Sequence, residues 1–164
     1  RDFDLFLDFK KNKTADIKES SYLLCTGLFE EQGEDLNYYQ ELFEEHVNKK
    51  MICTNPDLVV DRGDKRELCA GSVALVFEKM GGEVIYFGKP FPEVYNRSIN
   101  NKKKRVLSIG DNLNTDIKGA NLLNYDSLLI LNGVHKDEIK KEGIDIVSKK
   151  YEAIVNFTQT ELKW

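Results

Sequence analysis

Short apolar runs alternate along this chain with segments whose apolar residues recur at helical spacing, and that alternation leaves few architectures open. Residues 21–26 (SYLLCT), 51–54, 84–87, 105–110, 127–132 and 153–157 read as strands. Residues 2–10, 35–48, 71–80, 92–99, 115–123 and 136–142 read as helices, with a further short helix at the carboxyl end. Pro92 sits in the first turn of its helix, and Gly81-Gly82 supplies a stop signal. Residues 58–60 and 67–69 flank Arg62-Gly63-Asp64-Lys65, which marks a hairpin-like excursion. Strands separated by helices pair in parallel through right-handed crossovers, because a short turn cannot return the chain to the same edge in the same direction. The expected class is therefore α/β. In such sheets ligands gather beyond the carboxyl ends of the strands.

The chain has 164 residues, 41% of them hydrophobic, enough for one ordinary core or a core with a small appended lobe. Its formal charge is −4, and the basic runs Lys102-Lys103-Lys104-Arg105, Lys140-Lys141 and Lys149-Lys150 are short and interspersed with acids. No nucleic-acid partner is expected from such a pattern. The apolar stretches are too short to cross a bilayer, so no membrane partner is expected and the predicted location is cytoplasmic. Cys25, Cys53 and Cys69 are odd in number and widely spaced, which fits buried thiols better than disulfides or a zinc site. His46 and His135 are isolated in sequence and are expected to be surface or loop residues rather than ligands.

The stretch S-I-G-D-N-L-N-T-D-I-K-G-A, residues 108–120, carries the chemistry. It follows an apolar run, so Gly110-Asp111 falls where a strand ends and a helix begins. Magnesium prefers oxygen ligands and takes one or two protein carboxylates, with water and substrate phosphate completing its shell. Asp111 and Asp116 can supply such carboxylates, although Asp116 at a helix start also serves as a cap. Lys89, in Gly88-Lys89-Pro90 after another strand, is a point charge suited to phosphate oxygens or to opposing crowded carboxylates.

The combination resembles the haloacid dehalogenase (HAD) superfamily of aspartate-dependent phosphatases, in particular its subfamily IIA. The resemblance rests on T-N-P-D-L-V-V at 54–60, C-A-G-S at 69–72, E-V-I-Y-F-G-K-P-F-P-E-V-Y at 83–95, L-S-I-G-D-N-L-N-T-D-I-K-G-A at 107–120 and N-G-V-H-K-D-E at 132–138. It implies a Rossmannoid parallel sheet with helices, here its carboxyl half at residues 71–164, preceded by part of a type-C2 α/β cap domain at residues 1–70. It implies Lys89, Asp111 and Asp116 as catalytic positions, with Asp111 and Asp116 at Mg2+ and Lys89 neutralising charge at the phosphate. By the same resemblance Asn55, Asp57, Gly71, Ser72 and Asn112 are candidate substrate-binding or hinge residues, for which turn formation and helix capping are equal alternatives. The implied substrate is a small phosphorylated metabolite. A response-regulator receiver domain also joins aspartates to a Lys-Pro turn, but there the lysine follows the acids, whereas Lys89 precedes Asp111.

The family attacks phosphorus with an aspartate from a D-x-D-G motif, and the second aspartate of that motif is its general acid and base. Asp2-Phe3-Asp4 has the spacing but continues into Leu5-Phe6, and Asp8 has Lys10 where the second acid belongs. Thr26 mimics a phosphate-gripping hydroxyl, yet the order of motifs puts it in the cap. The expectation is a fragment, or the carboxyl half of a split enzyme, inactive alone, with an upstream half-chain or a homo-oligomer as its expected partner. The alternative is a non-catalytic phosphate- or partner-binding module.

Overall fold

The computed structural model describes residues 2–99 and 105–163, with side chains from Phe6 onward. It is mixed α/β with parallel sheets, as the alternation predicts. The chain divides into two compact units, residues 1–60 with 66–87 and residues 61–65 with 88–164. The helix and strand spanning 70–86 thus group with the first unit, whereas the sequence-based boundary was drawn at 70. The run Lys102-Lys103-Lys104 lies outside the described residues.

The first unit is built on three parallel strands in the order β1 (Tyr22–Cys25), β2 (Lys50–Cys53), β5 (Glu83–Tyr86). Leu24 registers with Ile52 and Ile52 with Ile85, so every second residue shares a face. Leu23, Cys25, Met51, Cys53, Val84 and Tyr86 lie in one apolar cluster, whereas Tyr22, Leu24 and Ile85 are exposed. Helix α1 (Leu36–Phe43) starts where the Asp35 carboxylate accepts from Asn37 N–H, and it buries Tyr39 and Phe43, one turn apart. Helix α2 (Ala70–Lys79) presents Val73, Ala74 and Phe77 to the same core. The Phe43 and Phe77 rings meet edge to face at 5.1 Å. Between β2 and α2, strands β3 (Val59–Arg62) and β4 (Lys65–Leu68) form a two-stranded hairpin, turned by Gly63 at φ +64°. This is the excursion expected there.

The second unit is a parallel sheet in the order β6 (Leu107–Gly110), β7 (Asp126–Ile130), β8 (Phe157–Gln159). Helix α3 (Pro92–Ser98) precedes β6. A π-helical turn, Leu113–Ile117, runs into α4 (Lys118–Leu122), and α5 (Lys136–Glu142) and α6 (Ile144–Lys150) lie between β7 and β8. Leu113, Ile117, Leu129, Val147 and Ala153 are its buried core.

Four local features depart from the sequence reading. Of the strand expected at 153–157 only Phe157 pairs, because side chains claim the backbone that a ladder would use at 154. Asn121 brackets Ile154, accepting from its N–H at 2.7 Å and donating to its carbonyl at 2.9 Å. Ser127 Oγ donates to the same carbonyl at 2.9 Å. Pairing resumes only at Phe157. Residues 144–150, to which the sequence reading assigns no element, form α6 despite their β-branched content, with Val147 buried and Ser148 bonded back to the Ile144 carbonyl. At the amino end the helix is 3-10 in character over Asp2–Asn12 and breaks at Phe6, and Leu7 and Phe9 are exposed. The short helix expected at the carboxyl end is not found among the described residues, where 160–163 are irregular.

Candidate active site

Strand β6 ends in Gly110, and the chain turns at once into the π-helical segment that carries both acids. The turn is wide: Asp116 N–H and Ile117 N–H both reach the Asn112 carbonyl, at 3.0 and 3.2 Å. Asn112 Oδ1 caps Asn114 N–H at 2.9 Å, so its side chain works as an N-cap. Asp116 folds back over the strand end, where its Oδ2 accepts from Asn112 N–H at 3.1 Å. A Cβ at position 110 would lie 2.1 Å from the Asp116 carboxyl carbon, so glycine is required there by close approach.

Lys89 follows β5 in a turn containing a cis Lys89-Pro90 bond. Its Nζ stands 2.5 Å from Asp116 Oδ1, with the lysine side chain 44% exposed and the aspartate 8%. The pairing expected between an ammonium and a crowded carboxylate is therefore present, with Asp116 as the partner. Both Asp116 oxygens are engaged within the protein.

Asp111 is held differently. Its Oδ2 accepts from Val134 N–H at 3.1 Å, and its Oδ1 has no hydrogen-bond partner among the described residues. Gly133 lies so close that a Cβ there would sit 2.2 Å from that of Asp111. The next residue, His135, accepts the Leu113 N–H at Nε2, 3.1 Å away. Residues 133–135, which lie between β7 and α5, thus grip the loop after β6 at three consecutive positions. His135 was expected at the surface or in a loop; it lies between two elements as a loop residue would, but it is buried. The motif N-G-V-H-K-D-E contained the signal, since glycine and histidine side by side after a strand suit a close backbone approach.

Tyr95, on α3, places its hydroxyl against Gly119, where an added Cβ would be 2.1 Å away. That hydroxyl is buried with no hydrogen-bond partner among the described residues, and burial together with the Asp116 charge pushes its pKa up.

Asn55, Asp57, Gly71 and Ser72 belong to the first unit and make a tight local knot. Asn55 Oδ1 accepts from Asp57 N–H at 3.2 Å, Asp57 O accepts from Gly71 N–H at 3.2 Å, and Ser72 Oγ donates to Leu58 O at 2.7 Å. A Cβ on Gly71 would meet the Pro56 carbonyl oxygen at 2.3 Å, which explains glycine at that position.

The donor set suits a hard cation. Two carboxylates arise from one loop, one of them with an uncommitted oxygen, and magnesium asks for no more from protein. Groups of three or more His, Cys, Asp or Glu able to hold a metal are absent among the described residues, so zinc-type cages are not indicated there. No helix among those residues is long and apolar enough to cross a membrane.

Comparison with known proteins agrees with this geometry. The family described as HAD-hyrolase-like matches residues 86–153, a span that includes Lys89, Asp111, Asp116 and His135. The dihydroxyacetone phosphatase of Corynebacterium glutamicum (strain R) is 29% identical over 119 residues, covering 66% of this chain and 43% of that protein. A hydrolase of the haloacid dehalogenase-like family from Brucella suis 1330 superposes with a TM-score of 0.68 at 34% identity, over 75% of this chain and 51% of that one. The p-nitrophenyl phosphatase of Archaeoglobus fulgidus shares the fold, with a TM-score of 0.62 at 18% identity over 90% of this chain and 56% of that one. The chain thus spans about half the length of the relatives it matches. The matched segment, the fold and the relatives are all those of the haloacid dehalogenase superfamily, which this chain resembles over most of its length.

Proposed function

We propose that this chain is the carboxyl part of a magnesium-dependent phosphomonoester hydrolase of HAD subfamily IIA, acting on a small sugar or nucleotide phosphate in the cytoplasm. The observation that carries the proposal is the Lys89–Asp116 pair at the end of β6, with Asp111 beside it offering an uncommitted oxygen. The named activities of relatives, on dihydroxyacetone phosphate and p-nitrophenyl phosphate, support a small phosphorylated substrate.

In this reading Asp111 is the direct Mg2+ ligand. Asp116 supports the metal shell, directly or through water, and anchors Lys89 by its second oxygen. Lys89, half-exposed and paired with Asp116, holds positive charge where phosphoryl oxygens gather. Magnesium, when bound, neutralises charge on those oxygens. Asn112 shapes the loop as an N-cap and lies next to the metal ligand, where it can also meet substrate. Residues of the first unit act as part of a cap that selects substrate, with Asn55, Asp57, Gly71 and Ser72 as its contact or hinge positions. In this reading the nucleophilic aspartate and the general acid come from a D-x-D-G segment outside these 164 residues, such as an upstream half-chain would carry. A non-catalytic phosphate- or partner-binding module is the second reading, favoured by the absence of that motif from the chain.

Titration of the 164-residue chain with Mg2+ followed by amide NMR tests the site, with shifts expected at 110–116 and lost in Asp111→Asn. Phosphate release from an aryl phosphate is then measured with and without a polypeptide that carries D-x-D-G. Turnover is expected only in the mixture. Magnesium-dependent hydrolysis by this chain alone overturns the account of the nucleophile, and an Mg2+ response unchanged in Asp111→Asn overturns the account of the site.

A further inference from the structure

The first amide groups of a helix have no partner within it, and each buried one must find an acceptor elsewhere. In the turn after β6 three are accounted for in sequence. Asn112 N–H goes to Asp116 Oδ2 and Asn114 N–H to Asn112 Oδ1, both local. Leu113 N–H lies between them, and its acceptor comes from across the unit: His135 Nε2, at 3.1 Å.

An imidazole nitrogen that accepts must carry a lone pair, so the ring proton belongs on the other nitrogen. His135 Nδ1 faces Glu138 Oε2 at 3.4 Å, and a carboxylate there is served by an Nδ1–H donor. Glu138 is kept ionised chiefly by Lys150, whose ammonium bonds its other oxygen, with smaller help from Tyr151 and His135. Tyr151 also packs edge-on against the imidazole, with centroids 4.6 Å apart. His135 is 6% exposed, so water does not replace these partners. Its ring is thereby fixed in orientation and in tautomer by three residues remote from the carboxylates.

We propose that His135 is a positioning residue for the Asp111 loop, with Lys150 and Glu138 setting a neutral Nδ1–H imidazole whose Nε2 holds the Leu113 amide. Leu113 is two residues beyond Asp111 and begins the turn that carries Asp116. A shift of this amide moves both carboxylates relative to the strand end. The neighbouring Val134 N–H holds Asp111 Oδ2 itself, so one short segment sets the side chain and its backbone together. The proposal deepens the magnesium reading of Asp111, on which its metal arm rests, while its amide arm stands without it.

The experiment compares His135→Gln with His135→Leu in the 164-residue chain. Glutamine places an amide oxygen near the position of Nε2 and keeps an acceptor; leucine keeps bulk and loses it. Leu113 amide hydrogen exchange is read by NMR, and Mg2+ alone is titrated as the probe. His135→Leu is expected to speed exchange at Leu113 at least tenfold and to weaken Mg2+ binding about tenfold, the scale on which partners of metal ligands act. His135→Gln is expected to stay within about threefold of the parent chain in both, as an acceptor that costs only imperfect geometry. Nitrogen-15 spectra of the unmutated imidazole provide a readout that survives if His135→Leu fails to fold, and they should show the proton on Nδ1 and Nε2 bare.

Exchange at Leu113 unaltered in His135→Leu, equal impairment in both variants, or a proton on Nε2 would each overturn the proposal. Absence of any Mg2+ response in the parent chain would instead sink the reading of Asp111, leaving the exchange and tautomer measurements to decide the role of His135.

Discussion

Lys89 Nζ lies 2.5 Å from Asp116 Oδ1, and the two ends of the pair have unlike surroundings, the ammonium half in solvent and the carboxylate almost wholly out of it. Stability should therefore respond unequally to losing either end. Lys89→Met leaves a buried anion with its countercharge gone and is expected to cost about 2–3 kcal/mol, below the usual range for fully buried pairs because one partner is half-exposed. Asp116→Asn keeps an acceptor for Asn112 N–H and leaves an ammonium that water can reach, so about 1 kcal/mol is expected. Denaturant midpoints of the two variants and the double variant measure the asymmetry. Equal losses would show that the burial difference is energetically irrelevant.

Gly110→Ala should displace the Asp116 carboxylate, since the new methyl group would overlap it. Overpacking of this kind costs about 1–3 kcal/mol. The check is structural as well as thermodynamic: NMR should show the perturbation concentrated at 110–117 and Lys89, with the signals of β8 close to unchanged.

Phe77 is fully buried at the centre of the first unit, in contact with Phe43. Phe77→Ala is predicted to cost about 3–5 kcal/mol, combining lost transfer energy with the cavity left behind. Phe77→Leu should recover much of this, and urea unfolding distinguishes the two.

Cys25 and Cys53 stand opposite each other on β1 and β2, both buried, while Cys69 is half-buried. Hydrogen bonding to Cys53 and then burial push the Cys25 thiol up, so it stays protonated at neutral pH. Alkylation of the folded chain should therefore mark Cys69 first. Mass spectrometry should find Cys25 modified only after denaturation, and rapid native labelling there would contradict the burial.

The Glu138 carboxyl is held below its ordinary value of 4.5, first by Lys150. A carboxyl depressed in the folded state contributes stability that is present above its unfolded pKa and is lost as pH falls through the folded one. The gap in melting temperature between the parent chain and Glu138→Gln should be flat from pH 8 to about 5 and should close below about 4.5. A gap that widened on acidification would reverse the assignment. The charged neighbours to hold constant are Lys150 and Glu142.

Much of the fold was legible because its signals are local and periodic. Strands β1, β2, β5, β6 and β7 are short apolar runs closed by turn residues, and α1 and α2 bury residues at helical spacing. Residues 153–156 were misread for a complementary reason: Ala153, Ile154 and Val155 have strand composition, but Asn121 and Ser127, about thirty positions earlier, take the Ile154 backbone. No window around 154 contains that information. The same limit applied at the candidate site. Lys89, Asp111 and Asp116 stood out because their residue types carry charge beside turns, and the structure brings Lys89 to Asp116. His135 did not stand out, since what it does depends on an amide 22 residues away.

The wide turn at Leu113–Ile117 has a consequence for how insertions and deletions can be tolerated. Each residue advances an α-helix by about 100°. The additional residue accommodated by the π-turn sets the angular phase at which Asp116 emerges, back toward Gly110 rather than outward. Removing one residue within 113–115 would rotate that aspartate about a quarter-turn from Lys89, even if every later residue kept its helical backbone. Chain length in this interval is thus as tightly constrained as the identity of the acid it delivers.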